Sequence, residues 1–328
     1  MKKNRIFGTV FSVLLATGMY GVVPSYAADK YPSRPITVIV PFGPGGSADI
    51  YARLLGEQLQ KKLGQTVVVE DKPGGGAVIG TNYVARSQPD GYTLLVISNT
   101  QTVNETLLKD KPYDLLKDFA PVAPINEANL VLVVNNKDGG IKSVKDIVST
   151  EKKKPASLNY ASSGIGTPYH IAGELFKTMT GTKAQHVPYK SSGQARTGVA
   201  AGEVDYMFDA IGTMQAFIKS GRVRPLATTG HERSSVYPDV PTMEQAGIPG
   251  YTANIWLGLL APKGTPDDVI AKLNSAISEI ASTNESKVNW AKDGFTPMVM
   301  SPAQFGEYLK KDVESLRKIA IGANMVAK

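Results

Sequence analysis

The sequence predicts an α/β protein of two domains with a ligand held between them, and three observations support this expectation. Short runs rich in β-branched residues alternate with amphipathic helical patterns, which is typical of mainly parallel sheets covered by helices on both faces. The 328 residues exceed the size at which a single core usually splits into domains. Several glycine- and hydroxyl-rich segments follow predicted strands, at the sheet edge where open α/β sheets bind ligands.

The first residues have the pattern of a Sec-type signal peptide. Three basic residues precede or flank the start of the apolar stretch 6–23, and Ser25 and Ala27 place small residues at positions −3 and −1 of a cut. The alternative is a membrane anchor, because the apolar stretch approaches the length that spans a bilayer. We predict that residues 1–27 form a signal peptide cleaved after Ala27, so that the protein is secreted and free in solution.

Composition narrows the class of protein further. The chain contains no cysteine, which excludes a lipid anchor on an N-terminal cysteine, disulfides and thiol catalysis. Removal of the signal leaves 328 − 27 = 301 residues with a net charge of 7 − 3 = +4, an excess that suits an anionic ligand. The basic run Lys152–Lys154 adjoins Pro155 and is interpreted as a solvated loop, so we expect no nucleic-acid partner.

The elements of the two domains follow from hydrophobic periodicity. In the first part of the chain we predict strands at 36–40, 67–70 and 93–97, a helix over 47–63 ended by Gly64, and a helix ending near residue 87. The apolar face of the helix over 47–63 consists of Ile50, Leu54, Leu55, Leu59 and Leu63.

The second part of the chain repeats the alternation. Strands are predicted at 130–134, 158–161, 185–189, 205–208 and 224–228, with helices over 168–180 and 194–201. A strand at 255–260 then returns and precedes helices over 266–283 and 302–321. We therefore place domain 1 at 28–128 plus 250–328 and domain 2 at 129–249, joined by crossovers near residues 129 and 250.

The segment Pro41–Asp49 is the sharpest candidate for a binding loop. It connects a predicted strand to a predicted helix, and its glycines allow backbone N–H groups to turn toward a carboxylate or phosphate at the helix start. The alternative is a tight structural turn that requires glycine for positive φ. Ser47 fits the N-cap role, and we expect Asp49 to orient the loop by hydrogen bonds to its backbone.

A second loop of the same kind covers residues 161–170. Thr167 is predicted to cap the following helix and Pro168 to occupy its first position. Ser162, Ser163 and the loop N–H groups could hold a second anionic group, and the alternative is an ordinary capped helix start.

Further polar residues follow other predicted strands. Ser98 and Thr100 come after the third strand, Tyr189 is a candidate ring wall, and Lys190 is a candidate compensating charge or an ordinary surface lysine. Asp209 either orients donors or is a plain loop carboxylate.

An enzyme is not the expected function. A hydrolase could use Ser163, His170 and Asp209, but no Gly-x-Ser-x-Gly turn follows a strand. His170, His186 and His231 lack the spacing of metal ligands. We predict no catalytic residue, no metal and no cofactor.

The chain resembles the Bug family, the extracytoplasmic receptors of tripartite tricarboxylate transporters. The resemblance is carried in family order over nearly all of the predicted mature chain by residues 31–37, 41–49, 71–76 with Gly80, 89–94, 160–164 with His170, 187–190 and 258–266.

This resemblance implies a type II periplasmic-binding-protein fold that closes like a clamshell on its ligand. It also implies that backbone groups and ordered waters of the first loop hold a ligand carboxylate. The family's ligands include di- and tricarboxylates, acidic amino acids, nicotinate and aromatic carboxylates such as terephthalate. Many members have proline where this chain has Gly43. The binding roles carry over onto Phe42, Gly43, Gly45, Gly46 and Asp49 in the first loop, and onto Ser162, Ser163, Gly164, Thr167 and His170 in the second.

The function implied by the resemblance is capture of a small carboxylate in the periplasm. A monomer would close on its ligand and deliver it to the membrane subunits of a tripartite tricarboxylate-type transporter. The alternative is a co-receptor that presents its ligand to a sensor kinase.

Overall fold

The computed structural model describes residues 31–137 and 140–325, so the predicted signal peptide at 1–27 lies outside the described residues. The strands are β1 (Ile36–Val40), β2 (Val67–Asp71), β3 (Thr93–Ser98), β4 (Phe119–Asn135), β5 (Asn159–Ser162), β6 (Gln185–Pro188), β7 (Tyr206–Ala210), β8 (Val223–Thr228), β9 (Asn254–Pro262) and β10 (Phe295–Pro297). The helices are α1 (Ser47–Leu63), α2 (Val78–Ala85), α3 (Asn99–Leu107), α4 (Val144–Lys153), α5 (Pro168–Thr180), α6 (Ser192–Ala201), α7 (Ile211–Lys219), α8 (Asp267–Ser282), α9 (Asn284–Lys292) and α10 (Pro302–Gly322).

Two groups of parallel strands are joined through antiparallel crossing strands. The strands pair in the order β2-β1-β3-β9-β4-β7-β5-β6, and β8 and β10 also pair with β4. The predicted parallel pairing is confirmed for β1 with β2 and β3, and for β5 with β6 and β7. We call β1, β2, β3, β9 and β10, with α1, α2, α3, α8, α9 and α10, the first lobe, and β5 to β8 with α4 to α7 the second lobe.

Strand β4 connects the two lobes. Its residues from Phe119 to Asn129 pair with β9, and its residues from Leu130 onward pair with β7 and β8. The sequence predicts only the part from 130 to 134, because Pro121 and Pro124 interrupt the strand pattern. Register shifts at both prolines accommodate them within the ladder.

Four helices were not predicted: α3, α4, α7 and α9. Three of them begin at a hydroxyl cap, with Ser98, Ser143 and Thr283 accepting backbone N–H groups of the first turn. Ser98 and Gln101 form a complete capping box, so the polar cluster after β3 is a helix start. Caps rather than apolar periodicity fix these short helices, which is why a periodicity argument overlooked them.

The buried face of α1 differs from the predicted one. Ile50 and Leu54 are 36 % and 40 % exposed, whereas Tyr51, Leu55 and Leu59 are buried. The buried stripe is shifted by one residue because Tyr51 packs in the core, with its ring centroid 4.3 Å from that of Phe295. Gly64 ends α1 in the left-handed conformation with φ of 69°, as predicted.

The core of the first lobe forms between the sheet and the C-terminal helix. Trp256 is fully buried, and its ring meets that of Phe305 edge-on at a centroid distance of 6.0 Å. Trp290 is also buried, so both tryptophans lie in the core. Among residues 31–137 and 140–325, none of the helices has the length and apolar character needed to cross a membrane.

Candidate functional site

A cavity of about 710 Å³ lies where the loops that follow strands of both lobes converge. This volume falls in the range of small-molecule sites, and the position agrees with the rule that α/β sheets bind ligands at the carboxyl ends of their strands. The lining residues are 41–43, 46–48, 73–77, 98, 100, 104, 108, 163–165, 167–169 and 188–192, together with Ile255 and Leu257 of β9.

Most of the residues predicted for the site line this cavity. They are Phe42, Gly43, Gly46, Ser98, Thr100, Ser163, Gly164, Thr167, Tyr189 and Lys190. The other predicted residues lie outside the described lining; all of them are buried except the exposed Gly45. These are Gly45, Asp49, Ser162, His170 and Asp209.

The start of α1 presents uncapped backbone donors to the cavity. The N-cap residue is Gly46, which has no side chain to cap the helix, and Gly46, Ser47 and Ala48 all line the cavity. The prediction that Ser47 is the cap is wrong, because Ser47 is already the first helical residue and its hydroxyl lies 3.4 Å from that of Tyr169. The first N–H groups and the helix dipole therefore favour an anion at this point.

Asp49 orients the first loop as predicted. The Gly45 N–H donates to Asp49 Oδ2 at 2.8 Å, and Arg53 Nε donates to Asp49 Oδ1 at 2.6 Å. Arg53 also donates to Asp71 at 3.0 Å, which ties α1 to the end of β2. The carboxylate is thus held by two donors and fixes the peptide that precedes the helix.

Residues behind the second loop shape it from the protein interior. Ser162 Oγ accepts the Gly164 N–H at 3.0 Å, and His170 Nδ1 accepts the Gly166 N–H at 3.1 Å. Thr167 occupies the N-cap position and Pro168 the first position of α5, as predicted. The Thr167 hydroxyl, however, donates to Gly164 O at 2.8 Å instead of accepting a helix N–H. This loop is therefore pinned at Gly164 and Gly166, which leaves Ser163 on the cavity side.

His170 is buried and stacks on the half-buried His186, and both rings remain neutral at neutral pH. The His170 and His186 rings stack with centroids 4.0 Å apart. Burial lowers the pKa of His170 from 6.5 to about 4, and burial followed by the neighbouring His170 lowers the pKa of His186 to about 3. Only an unprotonated Nδ1 can accept the Gly166 N–H, so the neutral state maintains the loop.

Acidification below pH 6.5 is expected to destabilise the folded protein through these two histidines. Their pKa in the folded state lies below the unfolded value of 6.5, so their contribution is intact above pH 6.5 and is lost as pH falls toward about 4. Asp312 acts in the opposite direction, because burial raises its pKa to about 6. The melting temperature of His186→Phe should therefore fall less between pH 7 and 5 than that of the wild type.

The exposed His231 provides the matched control for this experiment. The melting temperature of His231→Ala should follow the wild-type pH curve. Identical pH curves for wild type and His186→Phe would contradict the role given to the stacked histidine pair.

The two lobes contact each other at two separate places beside the cavity. We call the contact of residues 43–47 with 169 and 190–196 the first bridge, where a Cβ on Gly43 would lie 3.1 Å from Ser191 Cβ. We call the contact of residues 76–107 with 165–166 the second bridge, where a Cβ on Gly166 would lie 3.0 Å from Asn104 Oδ1. The two bridges have no residue in common.

The electrostatic character of the cavity is cationic. Among the described residues that line it, Lys190 alone carries a charged side chain, and Lys190 is exposed beside Gly43 in the first bridge. Tyr189 also lines the cavity, and its hydroxyl donates to Glu203 at 3.3 Å. A negatively charged group therefore meets one cation and the α1 donors without facing a carboxylate in the described lining.

Sequence reasoning missed three residues at the bridges. Arg196 of the second lobe pairs with Asp209 and reaches Gly45, Tyr169 contacts Ser47, and Asn104 donates to Gly76 O at 2.8 Å. Arg196 had a signal in the sequence, since a helix over 194–201 places it one turn from the buried Val199. Asn104 had none, because α3 itself was not predicted.

Comparison with known proteins shows the family of this chain. Residues 51–324 match the model of the tripartite tricarboxylate transporter family receptor. The chain is 36 % identical to Protein BugT of Bordetella pertussis over 316 residues, which is 96 % of each chain.

Solved structures of similar proteins have the same fold. The structure of the periplasmic binding protein BugD is 30 % identical, with a TM-score of 0.85 over 91 % of this chain and 100 % of that one. The structure of R. palustris Rpa4515 with adipate is 32 % identical, with a TM-score of 0.86 over 90 % of this chain and 98 % of that one. These likenesses confirm the expected periplasmic-binding-protein fold, and the chain belongs to the Bug family of tripartite tricarboxylate transporter receptors, which are periplasmic solute-binding proteins and not enzymes.

Proposed function

We propose that this protein captures a small carboxylate in the cavity between its lobes. The observation that carries the proposal is the first bridge, where the uncapped α1 N-terminus and Lys190 face a cavity whose described lining has no acidic side chain. Backbone N–H groups at a helix start and one cation are suited to an anionic group. The relative that binds adipate supports a carboxylate as that group.

The rest of the ligand is expected to be largely apolar. Ile255 and Leu257 are buried side chains of β9 that line the cavity, and Leu108 and Phe42 add further apolar wall. An aliphatic or aromatic body would exclude water from these side chains, which favours binding in proportion to the apolar area covered.

Capture proceeds by closure of one lobe on the other. We propose that the domains have the boundaries predicted above, 28–128 plus 250–328 and 129–249, and that the crossings near residues 129 and 250 form the hinge. The pairing of β4 supports this proposal, because β4 pairs with β9 up to Asn129 and with β7 and β8 from Leu130 onward, so the chain passes from one lobe to the other at this point. Contacts of a ligand with both lobes exist only in the closed form, so binding shifts the population toward closure.

Membership of the family supports a proposal for the destination of the ligand. We propose that the mature protein, with residues 1–27 removed, acts as a monomer in the periplasm and delivers its carboxylate to the membrane subunits of a tripartite tricarboxylate-type transporter. N-terminal sequencing of periplasmic protein tests the processing step, and Ala28 is the expected first residue.

A thermal-shift screen of carboxylic acids and their matched amides tests the proposed ligand class. Ligand-free refolded protein should melt at a higher temperature with at least one acid, because a ligand that binds only the native state stabilises it. Hydrogen bonds to a charged group contribute roughly 1.5–3 kcal/mol each, so the amide of that acid should bind at least about tenfold more weakly. Equal affinity for acid and amide would refute a site built for an anion.

A further inference from the structure

Arg196 is a buried arginine of the second lobe that contacts the first lobe. It lies on α6 with 6 % of its surface exposed. Its Nη1 donates to Asp209 Oδ2 at 2.9 Å within its own lobe. Its Nη2 donates to Gly45 O at 2.6 Å across the first bridge. One guanidinium therefore joins Asp209 of β7 in the second lobe to the loop that precedes α1 in the first lobe.

Asp209 holds Arg196 in this position. The Asp209 side chain is fully buried at the end of β7, and its second oxygen accepts the Ala210 N–H at 2.8 Å. Burial raises the pKa of Asp209, and the adjacent Arg196 guanidinium opposes that shift. Both ends of the pair are thus fixed by hydrogen bonds, and Nη2 of Arg196 is directed at Gly45.

The Gly45 residue is held from both lobes at once. Its N–H donates to Asp49 of the first lobe at 2.8 Å, and its carbonyl accepts Arg196 of the second. In a trans peptide the carbonyl and the following N–H point in opposite directions. The Gly46 N–H therefore points away from Arg196, and Gly46 lines the cavity whereas Gly45 lies outside the described lining.

We propose that Arg196 is a positioning residue that fastens the closed lobes together and turns the Gly46 N–H toward the bound anion. Its contact with Gly45 joins the two lobes. The Gly46 N–H is therefore brought into its binding orientation at the same time as the lobes close. The role of this contact in orienting a bound anion rests on the proposed carboxylate-binding function. The contact itself can be tested without any carboxylate.

The geometry requires arginine at this position. Two separate nitrogens of Arg196 meet two acceptors that belong to different lobes. A guanidinium presents its donors in a planar fork that serves both acceptors at once, whereas a lysine ammonium is a compact point charge on a flexible stem. Arg196→Lys should keep the charge partner of Asp209 and still lose most of the cross-lobe contact.

Closure can be measured with a disulfide, because the chain contains no cysteine of its own. A Cβ on Gly43 would lie 3.1 Å from Ser191 Cβ, and a small shift brings this pair into the roughly 3.5–4.5 Å range of disulfides. The rate at which Gly43→Cys/Ser191→Cys protein forms this disulfide in a fixed glutathione buffer reports how often the lobes are closed. The two cysteines lie on different lobes, so the open form cannot cross-link.

The variants are chosen so that folding and closure are separated. Arg196→Met/Asp209→Asn removes both charges together, because Arg196→Met alone would leave a buried unpaired carboxylate. Arg196→Lys is the second variant. The matched control is Arg34→Met/Asp90→Asn, which removes an exposed arginine–aspartate pair of 2.7 Å. All are made in the two-cysteine background, and melting temperatures are recorded in parallel.

We expect the cross-linking rate to fall about tenfold in Arg196→Met/Asp209→Asn, which corresponds to one lost charged hydrogen bond. Arg196→Lys should lower the rate by several-fold, and the control should leave it within about twofold. A purely structural role of Arg196 would lower the melting temperature and leave the rate of the folded variants unchanged. Rates within about twofold of the parent for both Arg196 variants would overturn the proposal, whether or not the cavity binds a carboxylate.

Discussion

Replacing Asp49 by alanine is expected to weaken carboxylate binding by about tenfold to a hundredfold while the protein remains folded. Asp49 accepts the Gly45 N–H and is itself held by Arg53, so its removal frees the peptide that leads into α1. A hydrogen bond to a charged group contributes roughly 1.5–3 kcal/mol, which corresponds to this range of affinity. Dissociation constants are measured by titration with an acid that stabilises the wild type.

A control variant distinguishes the effect of the loop on binding from the effect of removing any acidic residue of α1. Glu57 is an exposed acidic residue of the same helix, and Glu57→Ala should bind the acid with wild-type affinity. Asp49→Ala loses a negative charge in the first turn of α1, about 0.3–1 kcal/mol of stability, and its charged hydrogen bonds with Gly45 and Arg53, roughly 1.5–3 kcal/mol each. The melting temperature therefore has to show that the variant is folded before its affinity is compared. Wild-type affinity in a folded Asp49→Ala protein would show that the orientation of Gly45 does not matter for binding.

Alanine at Gly80 is expected to destabilise the protein by about 1–3 kcal/mol, as overpacked substitutions commonly do. Gly80 lies within α2, and a Cβ there would lie 2.7 Å from Lys72 O and 2.8 Å from Pro41 Cβ. Both neighbours lead into binding loops, so the clash can be relieved only by moving the walls of the cavity. Chemical denaturation measures the loss of stability, and acid binding should weaken in parallel.

Gly56 is the matched control in a helix interior. A Cβ there would meet Val67 and Val69 side chains at 3.4 Å, an ordinary contact distance. Gly56→Ala should therefore stabilise the protein by about 0.5–1 kcal/mol, because alanine loses less backbone entropy than glycine in a helix. The two alanine substitutions are expected to change the free energy of unfolding in opposite directions. A Gly80→Ala protein as stable as the wild type would mean that the loops are not packed as described.

The repeating α/β pattern made the architecture predictable. Each of the first three strands is a short run of apolar residues, and Gly64 marks the end of α1. Strand β4 escaped prediction over its first half because Pro121 and Pro124 are tolerated only through local register shifts in the ladder. The hydrophobic pattern of residues 119–129 alone does not show that the neighbouring strand β9 can accommodate these prolines.

The position of the two candidate loops was predictable for a similar local reason, and the contacts between lobes were not. A glycine-rich loop between a strand and a helix lies at the ligand edge of a sheet wherever the fold places it. The Arg196–Gly45 contact joins residues 151 positions apart, and it depends on how the lobes meet. The same limit applies to Ser47, whose cap role was wrong because the loop before α1 is set by Asp49 and Arg196.

Solution scattering with a stabilising acid and its amide measures whether an anion between the lobes draws them together. We expect the radius of gyration of ligand-free refolded protein to decrease when the acid is added at saturation. The amide at the same concentration should leave the radius unchanged, because it lacks the charge that the α1 N-terminus and Lys190 meet. An unchanged radius with saturating acid, or an equal decrease with the amide, would contradict this expectation.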